Sequence, residues 1–210
     1  FLCAVFFASA AMAYAADGSG ELVSVDPVSR SDNYSAVLYD NTSGLPTSEA
    51  NALAETDEGF IWIGSYSGLV RYDGNTFERV DFTSTGIGSV ISLYTDSKDR
   101  LWIGTNESGL FMMDEGELRH WSEDDGLGSA KVNSIAEDDK GNIYAGTTSG
   151  IVMILPDMSV HRITDSRIGE EYIEPLTLGS DGKVYGTTIE DDCFIVRNGV
   201  LADYLDHSWT

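Results

Sequence analysis

Acidic side chains dominate the chemistry on offer. The 210-residue chain holds 35 aspartates and glutamates against 12 lysines and arginines and 3 histidines, a formal charge of -23. Three adjacent acid pairs stand out: Asp124-Asp125, Glu170-Glu171 and Asp191-Asp192. Two carboxylates at the right separation cleave glycosides, one as acid and the other as base or nucleophile. Neighbours in an extended strand point to opposite faces, however, and in loops such pairs simply solvate the surface. His120, His161 and His207 are dispersed, and the first two fall in equivalent outer strands of two repeats, so they share no metal. No serine occupies a G-x-S-x-G elbow, and no loop follows the D-x-[DN]-x-[DN]-G calcium pattern. With Cys3 in an apolar leader, Cys193 has no disulfide partner, and a thiol in an exported protein is safest inside the fold. These observations point to no catalytic residue, no metal and no cofactor.

Recognition is the chemistry left. Short polar segments separate the apolar runs: Ser65-Tyr66-Ser67, Thr105-Asn106-Glu107-Ser108, Thr147-Thr148-Ser149 and 188–192, with Thr47-Ser48-Glu49 and Ser129-Ala130-Lys131 ahead of other runs. The flat face of Tyr66 beside Asn106, Glu107, Lys131, Thr148 and Glu190 suits a small polar ligand such as a saccharide. Nucleic acid is excluded as a partner, because binding needs cations that displace counterions from phosphates. An anionic membrane surface is disfavoured for the same reason.

The elements that carry these segments repeat. Gly59-Phe60-Ile61-Trp62-Ile63-Gly64, Asp99-Arg100-Leu101-Trp102-Ile103-Gly104, Gly141-Asn142-Ile143-Tyr144-Ala145-Gly146 and Gly182-Lys183-Val184-Tyr185-Gly186-Thr187 align without gaps. Their aromatics Trp62, Trp102, Tyr144 and Tyr185 are 40, 42 and 41 residues apart, and nine residues before each stands Leu53, Leu93, Ile135 or Leu176. Each unit holds four strand-like runs; in the first these are 50–55, 60–64, 69–72 and 77–82. The turns 57–59, 97–99, 139–141 and 180–182 each carry an aspartate, which bonds its own backbone, and all but 97–99 end in a glycine, which takes a positive φ. No stretch carries a sustained 3.6-residue apolar period, so helices have little room. Four strands per period of about 40, with one aromatic anchor, predict the four-stranded antiparallel blades of an all-β propeller. Its aromatics then act as structural glue between blades.

The run Ser43-Gly44-Leu45-Pro46, then Asp57-Glu58-Gly59-Phe60-Ile61-Trp62-Ile63-Gly64, then Gly68-Leu69-Val70-Arg71-Tyr72-Asp73-Gly74 closely resembles the two-component regulator propeller repeat. The second copy keeps Leu101-Trp102-Ile103-Gly104-Thr105 and Gly109-Leu110 but carries Met112-Met113-Asp114 where the repeat has R-Y-D. The third has Tyr144 for tryptophan, and the fourth keeps only Asp181-Gly182, Tyr185 and the spacing. The resemblance implies an extracytoplasmic sensing propeller of a bacterial transmembrane receptor, with about seven blades and a histidine kinase or diguanylate cyclase as cytoplasmic output. It also implies, as partners, further blades and the output domain of the same chain, and a homodimer is among the arrangements expected. The rival readings are a secreted propeller enzyme (a lyase or glycosidase) and a passive scaffold for protein contacts.

The expected organisation follows. Residues 1–15 read as a signal peptide whose own start is missing, with Ala13-Tyr14-Ala15 as the small-x-small site. A linker covers 16–33, and 34–210 is a partial propeller with blades at about 50–82, 90–121, 132–163 and 173–205. A leading outer strand over 34–40 and a connector at 206–210 make the chain a fragment of a longer, exported protein.

Overall fold

A computed structural model describes residues 37–206 apart from Ser43, Pro46 and Ser48. The expected leader, linker, His207 and most of the expected connector lie outside the described residues. The chain divides into the units Phe1–Tyr39 and Asp40–Thr210. In the first, residues 37–39 form no strand, and Asp40 at the start of the second carries none either. The described part of the expected leading strand is therefore absent. The local reason is a turn: the Asp40 carboxylate accepts from Thr42 N at 2.8 Å and Thr42 Oγ1 at 2.6 Å, which ends extension.

The second unit is four consecutive four-stranded antiparallel sheets. The first contains β1 (Ala52–Glu55), β2 (Ile61–Ser65), β3 (Gly68–Tyr72) and β4 (Phe77–Arg79), hydrogen-bonded in chain order. The second holds β5 (Val90–Thr95), β6 (Leu101–Thr105), β7 (Leu110–Asp114) and β8 (Glu117–Trp121). The third holds β9 (Val132–Glu137), β10 (Ile143–Thr147), β11 (Gly150–Ile154) and β12 (Val160–Arg162). The fourth holds β13 (Ile173–Leu178), β14 (Val184–Thr188), β15 (Cys193–Arg197) and β16 (Val200–Leu205). The first strands β1, β5, β9 and β13 pack side by side in that order, which makes them the inner strands of successive propeller blades. One expected run ends early. Phe82 does not extend β4 but opens the single turn α1 (Phe82–Thr85), because Asp81 caps it by accepting from Thr83 N.

Register explains the repeated offsets. Leu53 pairs with Ile63 and Ile63 with Val70; Leu93, Ile103 and Phe111 form the same row in the second blade, and Ile135, Ala145 and Val152 in the third. In the second and third blades these rows cover the face toward the preceding blade, while Trp62, Trp102 and Tyr144 cover the face toward the next. Three apolar seams result. Trp62, Leu69 and Ile87 meet Leu101, Ile103 and Phe111. Trp102, Leu110 and Met112 meet Ile143, Ala145 and Val152, with Trp121 stacked on Trp102 at 5.3 Å. Tyr144, Ile151 and Met153 meet Val184, Phe194 and Val196. In the fourth blade Gly186 takes the row position and Phe194 fills the space: a Cβ on Gly186 would lie 2.4 Å from the Phe194 ring.

The glycine after each anchor has a different task. It faces the inner strand of the next blade, and a Cβ there would lie 2.5 Å from Val90 at Gly64 and 2.7 Å from Ile173 at Gly146. At Gly104 it would lie 2.6 Å from the Val132 carbonyl. Thr187 holds this position in the fourth blade.

The turns differ from expectation in which residue does the bonding. In blades two and three the carboxylate comes one residue earlier than the expected turn. Asp96 Oδ1 accepts from Lys98 N and Arg100 N at 2.9 and 3.0 Å, and Oδ2 from Arg100 Nε and Trp102 Nε1, both at 2.7 Å. Asp138 repeats the pattern with Lys140 N, Asn142 N, Asn142 Nδ2 and the Tyr144 hydroxyl. Thr56 does a weaker version for Trp62 at 3.4 Å, and in the fourth blade, where Gly179 holds the position, Asp181 bonds Tyr185 instead. Burial pushes the Asp96 carboxyl up, but the hydrogen bonds from Arg100, Trp102 and Lys98 outweigh it and hold the group below the ordinary range.

Two outcomes follow. Gly104→Ala, whose new methyl meets backbone, costs about 1–3 kcal/mol, read as a lower urea midpoint at unchanged slope. Asp96→Ala leaves the buried Arg100 guanidinium without its partner and costs about 3–5 kcal/mol. Because the Asp96 pKa is lowered on folding, its contribution is complete above the unfolded value of about 4 and is lost as pH falls through the folded value. The deficit of Asp96→Ala against wild type is therefore full at neutral pH and shrinks in acid, which denaturation at stepped pH measures.

Candidate functional site

The polar segments gather at one end of the blades, where the loop from second to third strand meets the connectors into the inner strands. Each such loop begins with a buried hydroxyl that closes the turn: Ser65 Oγ donates to Gly68 O at 3.1 Å, Thr105 Oγ1 to Gly109 O at 2.8 Å and Thr147 Oγ1 to Gly150 O at 2.9 Å. The connectors then bond the loops on both sides. Asn106 N donates to Ser89 O and Gly109 N to Ala130 O, both at 2.8 Å; Gly150 N reaches Glu171 O at 2.8 Å and Ile189 N reaches Tyr172 O at 3.0 Å. At Gly128 the connector presses so close that a Cβ would lie 2.1 Å from the Ser149 carbonyl.

A third clasp comes from the outer strands. Arg79, His120 and Arg162 hold equivalent places in β4, β8 and β12, opposite Val70, Phe111 and Val152. Each bonds the carbonyl of the serine that precedes the third strand. Arg79 donates to Ser67 O, His120 Nε2 lies 2.6 Å from Ser108 O, and Arg162 donates to both Ser149 O and Gly169 O at 3.1 Å. A carbonyl only accepts, so His120 carries its proton on Nε2, and its ring stacks on Phe111 at 4.3 Å. In the fourth blade Tyr204 takes this place and donates to Asp192 Oδ2. Burial and then the Asp192 carboxylate push the Tyr204 hydroxyl up to about 12.

Among the expected ligand residues, the structure brings two into one cluster. Lys131 Nζ donates to the Tyr172 hydroxyl at 3.1 Å and lies 5.3 Å from that ring's centre. Thr148 Oγ1 lies 2.7 Å from Ser129 Oγ, which also accepts from Lys131 N at 3.2 Å. All four residues are half-buried. Asn106 is half-buried on the neighbouring loop, whereas Tyr66, Glu107 and Glu190 are exposed and make no side-chain bond to this cluster. Tyr172 was missed by sequence reasoning. Its signal is its offset: Ser89, Lys131 and Tyr172 each stand immediately before an inner strand, 42 and 41 residues apart, and Glu49, ahead of β1, continues the series 40 residues before Ser89.

The other residues singled out have local roles. Trp62, Trp102 and Tyr144 lie in the seams, and burial raises the Tyr144 hydroxyl pKa well above its ordinary value; Tyr185 is half-buried. Of the acid pairs, Asp125 accepts from Ser122 N at 2.9 Å and Ser122 Oγ at 2.8 Å to cap a one-turn 3-10 segment. Those bonds hold its pKa below the usual carboxylate range. His161 sits exposed on β12. Cys193, expected inside the fold, opens β15 with its side chain exposed, since the first residue of that strand points away from the seam.

Three segments, 44–67, 86–107 and 126–149, match the family described as two component regulator propeller. The chain is 29% identical over 119 residues to Histidine kinase P4 of Formosa agariphila, an alignment covering 51% of this chain and 9% of the kinase. Among solved structures it resembles the extracellular domain of BT3049 from B. thetaiotaomicron, a protein named as a hybrid two component system. That match has a TM-score of 0.66 and 21% identity, covering 83% of this chain and 24% of that one. Streptogramin B lyase gives a TM-score of 0.65 and 17% identity, over 77% of this chain and 56% of the lyase. At these identities the two structural likenesses establish the β-propeller fold alone. The chain thus spans a small part of the signalling proteins it matches, and the fourth blade lies beyond the matched segments.

The clasp on the third loop is open to test. Arg162→Met frees two carbonyls that a charged donor holds, each bond worth about 1.5–3 kcal/mol. Amide exchange at Gly150 and across 168–172 then speeds at least about tenfold, while the amides of β5 to β7 keep their protection.

Proposed function

We propose, from the premise that this chain carries two component regulator propeller repeats, that it is the extracytoplasmic ligand-sensing segment of a bacterial transmembrane receptor. Its output would be a cytoplasmic histidine kinase or diguanylate cyclase. The observation that carries this reading is the set of three repeat matches at 44–67, 86–107 and 126–149. The alignment with a protein named as a histidine kinase and the likeness to an extracellular domain of a two component system support it. In this reading the mouth cluster of Ser129, Lys131, Thr148 and Tyr172, with Asn106 and the exposed Tyr66, Glu107 and Glu190 around it, binds a small polar ligand such as a saccharide. Binding shifts how blades or protomers pack, and the shift is no larger than the ligand's differential affinity for the two arrangements.

The membrane span that the proposal needs is not among the described residues, where no helix is long and apolar enough to cross a bilayer. The enzyme alternative draws only on likeness of fold to the lyases. The deciding experiment is an immunoblot of the native protein in soluble and membrane fractions, with a serum raised against blades one to three. A membrane-bound product several times the length of this chain is the expected result. A soluble product of propeller size overturns the receptor reading in favour of a secreted enzyme or scaffold.

A further inference from the structure

We infer that the mouth cluster recognises a carboxylate, so that the ligand is an acidic sugar, held by Lys131. The inference rests on the saccharide reading above and adds the charge of the ligand to it. Lys131 Nζ has three N–H groups and spends one on the Tyr172 hydroxyl. Tyr172 accepts that bond and keeps its own proton. The hydroxyls of Ser129 and Thr148 hold two protons and spend one on each other at 2.7 Å, whichever of them donates. Ser129 Oγ also accepts the Lys131 backbone N–H, which adds no further donor of its own. Four polar hydrogens therefore remain on three adjoining segments: 129–131, the loop 147–150 and the connector at 172. Their own backbone bonds and the close approach at Gly128 hold these segments together.

Among the described residues no carboxylate has taken those donors. In a chain with 35 acids and 12 lysines and arginines, the ion pairs among the described residues are Arg71–Glu78, Arg100–Asp96, Arg167–Asp165 and Lys183–Asp181. Lys131 is in none of them, although it is half-buried and Glu171 adjoins its partner Tyr172. A cluster with one positive charge and four polar hydrogens to spare fits a group that accepts and carries negative charge. A carboxylate has two oxygens and about four acceptor sites, and its bonds to an ammonium are roughly twice as strong as neutral ones. The Tyr172 ring, already flanked by Lys131, offers a flat face for the carbon frame of a pyranose.

The test uses the full-length protein and two pairs of probes, D-galacturonate and D-glucuronate, each against its own methyl ester. The ester keeps the sugar frame and removes the charge. Calorimetric titration is expected to give at least tenfold tighter binding of one acid than of its ester, weakening as salt rises. Lys131→Met should lose that preference, Lys131→Arg should keep most of it, and Tyr172→Phe, which retains the ring, should weaken it less than Lys131→Met. Unchanged circular dichroism shows each variant folded. Equal binding of acid and ester, or acid binding untouched by Lys131→Met, overturns the carboxylate assignment and leaves the saccharide reading standing. Failure of all four probes at millimolar concentration overturns both.

Discussion

A four-stranded sheet of this composition is apolar on both faces and narrow, so it has no inside of its own. The second and third blades bury one face against the preceding blade and the other against the next, and the first and fourth each bury one face in the same way. The inner strands must come close for the seams to shut. They do so only because Gly64, Gly104 and Gly146 present no side chain where Val90, Val132 and Ile173 arrive. The aliphatic rows on one face and the aromatic anchors on the other then interlock, and Ile87, Leu127 and Ile168 from the connectors join the seams.

Burying aromatic anchors brings polar tips inside, and the turns take care of them. One carboxylate, Asp96 or Asp138, bonds the backbone of its own tight turn and the polar tip of the anchor six residues on. Further bonds cross from blade to blade near these turns. Thr95 Oγ1 donates to Glu55 O at 2.7 Å, Asp57 N to Asp99 Oδ1 at 2.7 Å, and Ser97 bonds the buried Glu137 through both its amide and its hydroxyl. Gly199 N donates to the Tyr144 hydroxyl, so that one phenol joins the third and fourth blades. Acidity that looks like catalytic potential in the sequence is in these places consumed by structure.

At the opposite end the same repetition builds a platform. Connectors and outer-strand side chains fix the loops between second and third strands, so variable side chains project from backbone that is already held. Lys131 and Tyr172 stand at one repeat position, Thr148 at another and Ser129 on the connector between. Ligand recognition on such a platform changes by substitution at a few positions, with no change to the seams beneath.

The repeat period, the four strands per unit and the anchors were legible in the sequence because each is local: an offset of about 40, an alternation of apolar residues, a turn with glycine. The candidate ligand residues were legible only as loop positions. Nothing in the linear order separates Lys131 and Thr148, which meet in a cluster with Ser129 and Tyr172, from Glu107 and Glu190, which stay in solvent. In blades two and three the turn acids were read inside the turn, at Asp99 and Asp139, whereas Asp96 and Asp138 just ahead of it do the bonding. Burial, which the linear order does not show, decides which carboxylate turns inward. Phe82 read as strand because a cap at Asp81 outweighs β-propensity over so short a stretch. The sequence by itself thus determined the blades, since their pattern depends on neighbours along the chain. Tertiary structure decided the seams, the fate of each charge and the makeup of the mouth, since these depend on which side chains meet across 40 residues of separation.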